Sequence, residues 1–165
     1  MSEGDYPDRL ASIAKPPQEL YYRGGIDTLN QRRNVAVIGS RHVSGLGREA
    51  AYRIGYVLGR RGIGVMNGLA LGCDTYALRG ALAAEGKCAA VMPCGLEQIV
   101  PYANTGLAER LLSCGGCLLS EYPPHTPVRR YQYVERDRLQ SGISDGVLVI
   151  EAECDSGTMH TVRYA

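Results

Sequence analysis

The sequence predicts an α/β fold, an open parallel sheet with helices on both faces in three layers. Three observations predict it. From residue 34 onward, short apolar runs alternate with stretches of helical spacing, the pattern of a parallel sheet with helical crossovers. The apolar runs are rich in Val and lack strict alternation, as strands buried on both faces do. Each run stops at glycine or a small polar residue: "NVAVIGSRHVSGLG" from Asn34, "GVMNGLALGCD" from Gly64, "LLSEYP" from Leu118 and "VLVIEAECDSGT" from Val147.

Taken in order, residues 1–30 form a lead-in in which "KPPQELYYRGG" is dense in Pro and Gly, a loop signal. Residues 31–165 form the domain. Strands are expected at 35–39, 63–66, 87–92, 117–120 and 146–151, and helices at 46–61, 73–85, 103–114 and 134–141. In the first helix Ala50, Ile54, Val57 and Leu58 recur at helical spacing and Gly62 ends the run. The closing "SGTMHTVRYA" reads as the first turns of another helix. The expectation is a domain truncated at its C-terminal end or closed by a partner.

Composition narrows the function. The formal net charge of the 165 residues is +1, so no global field draws in nucleic acid or acidic lipid, and anion binding must come from a local cluster. Trp and Phe are absent while Tyr numbers 11, so any aromatic stacking must use tyrosine. The polar start "MSEGDYPDRL" is not a signal peptide, and no apolar run approaches the ~20 residues of a membrane span. Six cysteines in such a pattern read as small core residues in a reducing, cytoplasmic setting. Cys114 and Cys117 have the spacing of a metal or redox pair but lack the second pair a zinc site needs. They read as structural.

The candidate site follows from the fold. In open parallel sheets, ligands bind beyond the carboxyl ends of the strands, where strand order reverses. Gly39, Gly68, Ser120 and the Ser156-Gly157-Thr158 turn stand at such ends. Glycines admit a ligand close to the backbone, helix N-termini offer N–H groups to an anion, and Ser40 and Arg41 add a hydroxyl and a guanidinium fork suited to phosphate. Arg136 and Arg138, with Arg129 and Arg130 upstream, make a second cluster beside Tyr131 and Tyr133. They read either as a solvated helix face or as a phosphate clamp with tyrosine surfaces for a base. Neither the GxGxxG fingerprint nor the Walker lysine pattern is present. His42, His125 and His160 form no local triad pattern with Ser and Asp.

The ordered segments "VAVIGSR", "NGLALGCD", "AAVMPCGLEQIVPYAN", "LLSEYPP" and "RDRLQSGISDGVLVIEAECDSGT" resemble the DNA-processing protein family DprA, also called Smf, over about residues 20–165. The resemblance implies an extended Rossmann-like domain that binds single-stranded DNA. It also implies a role in DNA uptake, natural transformation and recombination, protecting incoming strands and loading a RecA-type recombinase. It implies no catalytic residue, no metal and no cofactor, and it leaves a homodimer open. By position, Gly39, Ser40 and Arg41 match the family's first turn. Gly68, Leu69, Ala70, Gly72 and Asp74 match its second loop, and Ser120 and Glu121 its serine-glutamate pair. Arg136 and Arg138 match its arginine-asparagine-arginine motif, and Glu151, Ser156 and Gly157 its last loop. Asp137 replaces the asparagine of that motif, a negative charge on the expected phosphate path. Asn67, Cys73 and Leu78 depart from serine, isoleucine and histidine. The alternative readings are a nucleotide- or small-ligand-binding sensor and a phosphoribohydrolase of the related lysine-decarboxylase-like group. The latter's "PGGxGTxxE" motif is reduced here to "CDSGT".

Overall fold

The computed structural model describes residues 6–30 and 33–165. The first five residues of the expected lead-in, and the expected domain start at 31, lie outside the described residues. In chain order the main elements are α1 (Asp8–Ala11), β1 (Tyr21–Gly24), β2 (Asn34–Ile38), α2 (Gly45–Arg60), β3 (Gly64–Asn67), α3 (Cys73–Ala83) and β4 (Cys88–Val91). There follow α4 (Thr105–Ser113), β5 (Cys117–Ser120), α5 (Arg130–Gly142), β6 (Gly146–Val149) and α6 (Thr158–Arg163).

The six strands make one sheet in the order β1-β5-β4-β3-β2-β6. β2 to β6 run parallel to one another, as expected. The sheet is nevertheless mixed. β1, which lies within the expected loop-like lead-in, pairs antiparallel with β5 from Tyr21 opposite Ser120 to Gly24 opposite Cys117. It is a four-residue, mostly exposed edge strand, and its partner lies almost a hundred residues away. No local pattern carries such a pairing.

The continuous apolar strands feed two cores. Val65, Cys88, Ala90 and Leu118 point to one face and pack with Ala77, Leu78 and Ala81 of α3, Ala51 of α2 and Leu111 of α4. Their neighbours Met66, Ala89, Cys117 and Leu119 point to the other face and meet Leu10 of α1 and Leu139 of α5, with Ile143 just beyond it. Residues two apart share a face, so one Val-, Ala- and Leu-rich run supplies both cores of a three-layer α/β/α domain. α2 and α3 lie almost backbone to backbone. A Cβ on Gly55 would overlap the Ala77 carbonyl, and one on Gly80 the Tyr52 carbonyl, so glycine is required at both crossings.

The chain moves outward from β2 through β3, β4 and β5, then returns to lay β6 on β2's other side. Strand order therefore reverses between β2 and β6. The loops after these two strands part there and open a cleft. α5 starts at Arg130, four residues before its expected start, because Gln132 folds back to accept the Arg129 N–H and closes the first turn.

Candidate functional site

The cleft has a volume of about 510 Å³. Its walls come from Gly39, Ser40, Arg41 and His42 after β2, and from Ala70 and Asp74 between β3 and α3. Tyr133, Arg136, Asp137 and Gln140 of α5 form another wall, and Glu151–Glu153, Ser156, Gly157, Thr158, His160 and Thr161 close it after β6.

Arg136, an expected site residue, has the most unusual setting of these. Its residue is only 5% exposed, yet its Nε and Nη1 have no hydrogen-bond partner among the described residues. Asp137 Oδ1 stands 3.5 Å from Nε, close enough for charge attraction and too long for a good hydrogen bond. A buried donor left without an acceptor is costly. The guanidinium lies directly against Gly68, where any Cβ would overlap its nitrogens. Gly68 thus makes the seat in which Arg136 rests.

The β3–α3 loop that forms this seat is rigidly held. Asp74 is buried and accepts from the Gly68 N–H at 2.9 Å and the Ala70 N–H at 3.3 Å. Burial pushes its carboxyl up from 3.8 to about 6, against the opposing pull of the Arg136 charge. Asn67, also buried, donates to the Val37 and Asp74 carbonyls and accepts from the Leu69 N–H. From the next crossover, Asn104 Nδ2 donates to the Leu69 carbonyl at 2.8 Å and to Thr75 Oγ1 at 2.9 Å. These amides satisfy the buried carbonyls of the loop, so its shape is set before any ligand arrives.

Ser40 is pinned by its own backbone, whose N–H donates to the Glu151 carbonyl at 2.6 Å. Its hydroxyl accepts from the His42 N–H at 3.1 Å. The Arg41 guanidinium is exposed and lies 5.2 Å from the centre of the Tyr133 ring, a cation–π contact that leaves its charge available. The N-terminus of α2 corrects one expectation. It is not free to take an anion. Ser44 caps it by accepting from the Gly47 N–H at 3.0 Å, and the Glu151 carboxylate accepts from the Ser44 N–H at 3.1 Å and the Ser44 hydroxyl at 2.6 Å. Those bonds hold the Glu151 carboxyl below its usual range. The protein's own carboxylate fills the place a phosphate would need.

Asp137, which replaces the asparagine of the family motif, lines the cleft with its carboxylate tied down. It is buried and accepts from Gln140 Nε2 at 2.7 Å. Burial raises its carboxyl, while Arg136, His160 and a hydrogen bond from Thr161 pull it down. It joins α5 to α6 and keeps Arg136 in register.

The cleft brings together Gly39, Ser40, Arg41, Arg136, Ser156, Gly157 and Thr158, with Gly68 behind Arg136. Three expected residues, Ser120, Glu121 and Arg138, lie outside the cleft lining. Ser120 is fully buried, donating to the Cys94 carbonyl at 2.8 Å and accepting from the Tyr122 N–H at 3.0 Å. Glu121 and Arg138 grip each other through two bonds of 2.7 and 2.5 Å, and Arg138 also donates to the carbonyls of Lys15 and Glu135. Their charges are spent on each other. Conversely, Gln140 and Asn104 carried no sequence signal. Asp74 and Glu151 had one only through the family resemblance.

The family model for DNA recombination-mediator protein A matches residues 1–165. Protein Smf of Escherichia coli is 38% identical over 160 residues, covering 97% of this chain and 42% of its own. The chain spans about half the length of the curated relatives it matches. The structure of DprA from Streptococcus pneumoniae superposes with a TM-score of 0.88 at 34% identity, over 96% of this chain and 55% of that one. A structure of DNA processing protein A from Helicobacter pylori, described for its single-stranded DNA binding mode, superposes with a TM-score of 0.90 at 28% identity, over 97% and 73% of the two chains.

Proposed function

Because the chain belongs to the DNA recombination-mediator protein A family, we propose that its cleft binds single-stranded DNA through a backbone phosphate. One observation carries the reading: Arg136 is buried at the switch-point cleft with two guanidinium nitrogens unpartnered among the described residues. A phosphate oxygen supplies the acceptor that the fold withholds, and charge-assisted bonds of this kind are the strong ones. Arg41 adds a second cation at the rim, and Tyr133 a ring for a base. Ser40, Ser156 and Thr158 bring hydroxyls to the same cleft. The solved relative from Helicobacter pylori, described for binding single-stranded DNA, supports the assignment.

In the whole protein we infer a cytoplasmic binding role without catalysis, in which the strand is protected during DNA uptake and recombination and passed to a RecA-type recombinase. Among the described residues no helix is long and apolar enough to cross a membrane. Titration of a labelled oligothymidylate against nucleoside monophosphates tests the reading. The oligonucleotide is expected to bind more tightly, with an affinity that falls as salt rises. Tighter binding of a monophosphate would turn the cleft into a nucleotide sensor's pocket.

A further inference from the structure

Outside the cleft, α2 and α3 carry a second cationic and aromatic feature. Tyr76 of α3 is half-buried, with the Arg48 guanidinium of α2 at 5.9 Å from its ring centre and the Arg79 guanidinium at 5.6 Å. Both arginines are exposed. Among the described residues neither has a carboxylate within 4.0 Å. The neighbouring Glu49 is engaged with Arg53 instead, at 3.3 Å. A ring orders a guanidinium without neutralising it. The glycine crossings at Gly55 and Gly80, where the helices nearly touch, bring Tyr76 within reach of Arg48.

The feature is joined to the cleft. Arg48 Nε donates to the Val43 carbonyl at 3.4 Å, and Val43 directly follows Arg41 and His42 on the cleft rim. The helix N-termini lie at the carboxyl edge of the sheet, the side on which the cleft opens. Arg41 with Tyr133, then Arg48 and Arg79 with Tyr76, repeat one arrangement: guanidinium beside phenol ring. Tyr52, one helical turn after Arg48 on α2, is also exposed.

We propose that this surface is a second station for the same strand, so that a polynucleotide leaving the cleft crosses Arg48, Tyr76 and Arg79. The proposal rests on the single-strand reading of the cleft. The chemistry is that of sequence-tolerant single-strand tracks: cations for successive phosphates and aromatic faces for unstacked bases. A mononucleotide would need none of it.

The test measures affinity for oligothymidylates from roughly 4 to 16 nucleotides, the range of compact single-strand sites, in the wild type and in an Arg48→Gln/Arg79→Gln double variant. Both side chains are exposed, so folding is not at stake. The double variant is expected to match the wild type on the shortest oligomer and to lose about tenfold on the longest. Its salt slope on the longest should flatten by about 1.4, at roughly 0.7 for each single-strand phosphate contact. Iodouridine placed beyond the cleft should photo-crosslink to Tyr76. Unchanged length dependence and slope in the double variant would overturn the second station and leave the cleft standing. That outcome is also the one a protein partner on this face gives. A wild type that binds no oligomer would sink both readings.

Discussion

Arg136 and Arg138 stand two residues apart on α5 and live in different chemistries. At 3.6 residues per turn, a spacing of two points side chains about 160° apart around the helix. Arg136 faces the cleft, buried against Gly68 with two nitrogens unpartnered among the described residues. Arg138 faces away and is locked to Glu121, Lys15 and Glu135. The first side of α5 stores an unmet demand for hydrogen-bond acceptors, although Asp137 stands beside it. The second side has met its demand and ties the helix to the end of β5. Charge in a motif is therefore not charge available to a ligand. What counts is whether the fold has already supplied the acceptors.

The sharpest way to break this contrast is to neutralise each arginine. Arg136→Gln should weaken single-strand binding by about ten- to a hundredfold, the worth of roughly 1.5–3 kcal/mol for hydrogen bonds to a charged group. Its thermal midpoint should fall modestly, since the charge beside the buried Asp137 and Asp74 is lost. Arg138→Gln should reverse the balance. It leaves Glu121, with a side chain only 15% exposed, facing no cation, at a cost of about 2 kcal/mol in stability, while affinity stays within about twofold. Thermal melts alongside salt-dependent binding isotherms read both. Equal losses of affinity in the two variants would erase the distinction between the sides.

The part of this contrast that the sequence carried is the part set locally. Strand ends, the β3–α3 glycine loop and the closing Ser156-Gly157-Thr158 turn were legible because apolar runs and small residues mark them within a few positions. The side taken by each arginine was not. Arg138 is spent only because β5 delivers Glu121 from 17 residues upstream, and that juxtaposition needs the finished sheet. β1 failed for the same reason, its partner being far along the chain. Glu151 at the α2 N-terminus is 107 residues from Ser44. Asp137 was legible as a charge but not as a direction, since its neighbours Gln140 and Thr161 become partners only when α5 and α6 pack.

Acidity sharpens the cleft side further. The Asp74 carboxyl is raised from 3.8 to about 6, so between those values the folded protein holds a proton that the unfolded chain has released. Its contribution to stability therefore falls as pH rises through that window. In the cleft the same proton removes a negative charge close to Arg136. A phosphate should then bind severalfold more tightly as pH drops from 7 to 5, with proton uptake on binding. His42 and His160 also line the cleft, so the Asp74→Asn variant isolates the carboxylate's share. Its affinity should be higher at pH 7 and change less with pH. Parallel pH profiles for variant and wild type would assign the effect to other groups.

The smallest effect belongs to Asp137, the residue between the two arginines. A carboxylate about 4 Å from a phosphate, at an effective dielectric near 20, opposes it by about 4 kcal/mol before screening, so its removal would tighten binding greatly if it faced the ligand. The geometry gives it another task. Its Oδ1 accepts from Gln140 and lies 3.5 Å from Arg136 Nε, and the residue is 8% exposed. An asparagine can keep the Gln140 bond through its carbonyl oxygen. Asp137→Asn should therefore shift affinity by less than about threefold and lower the melting point slightly, as the charge beside Arg136 is lost. A gain of tenfold or more would place the carboxylate on the phosphate path and make both faces of α5 contribute to binding, one by attraction and one by restraint.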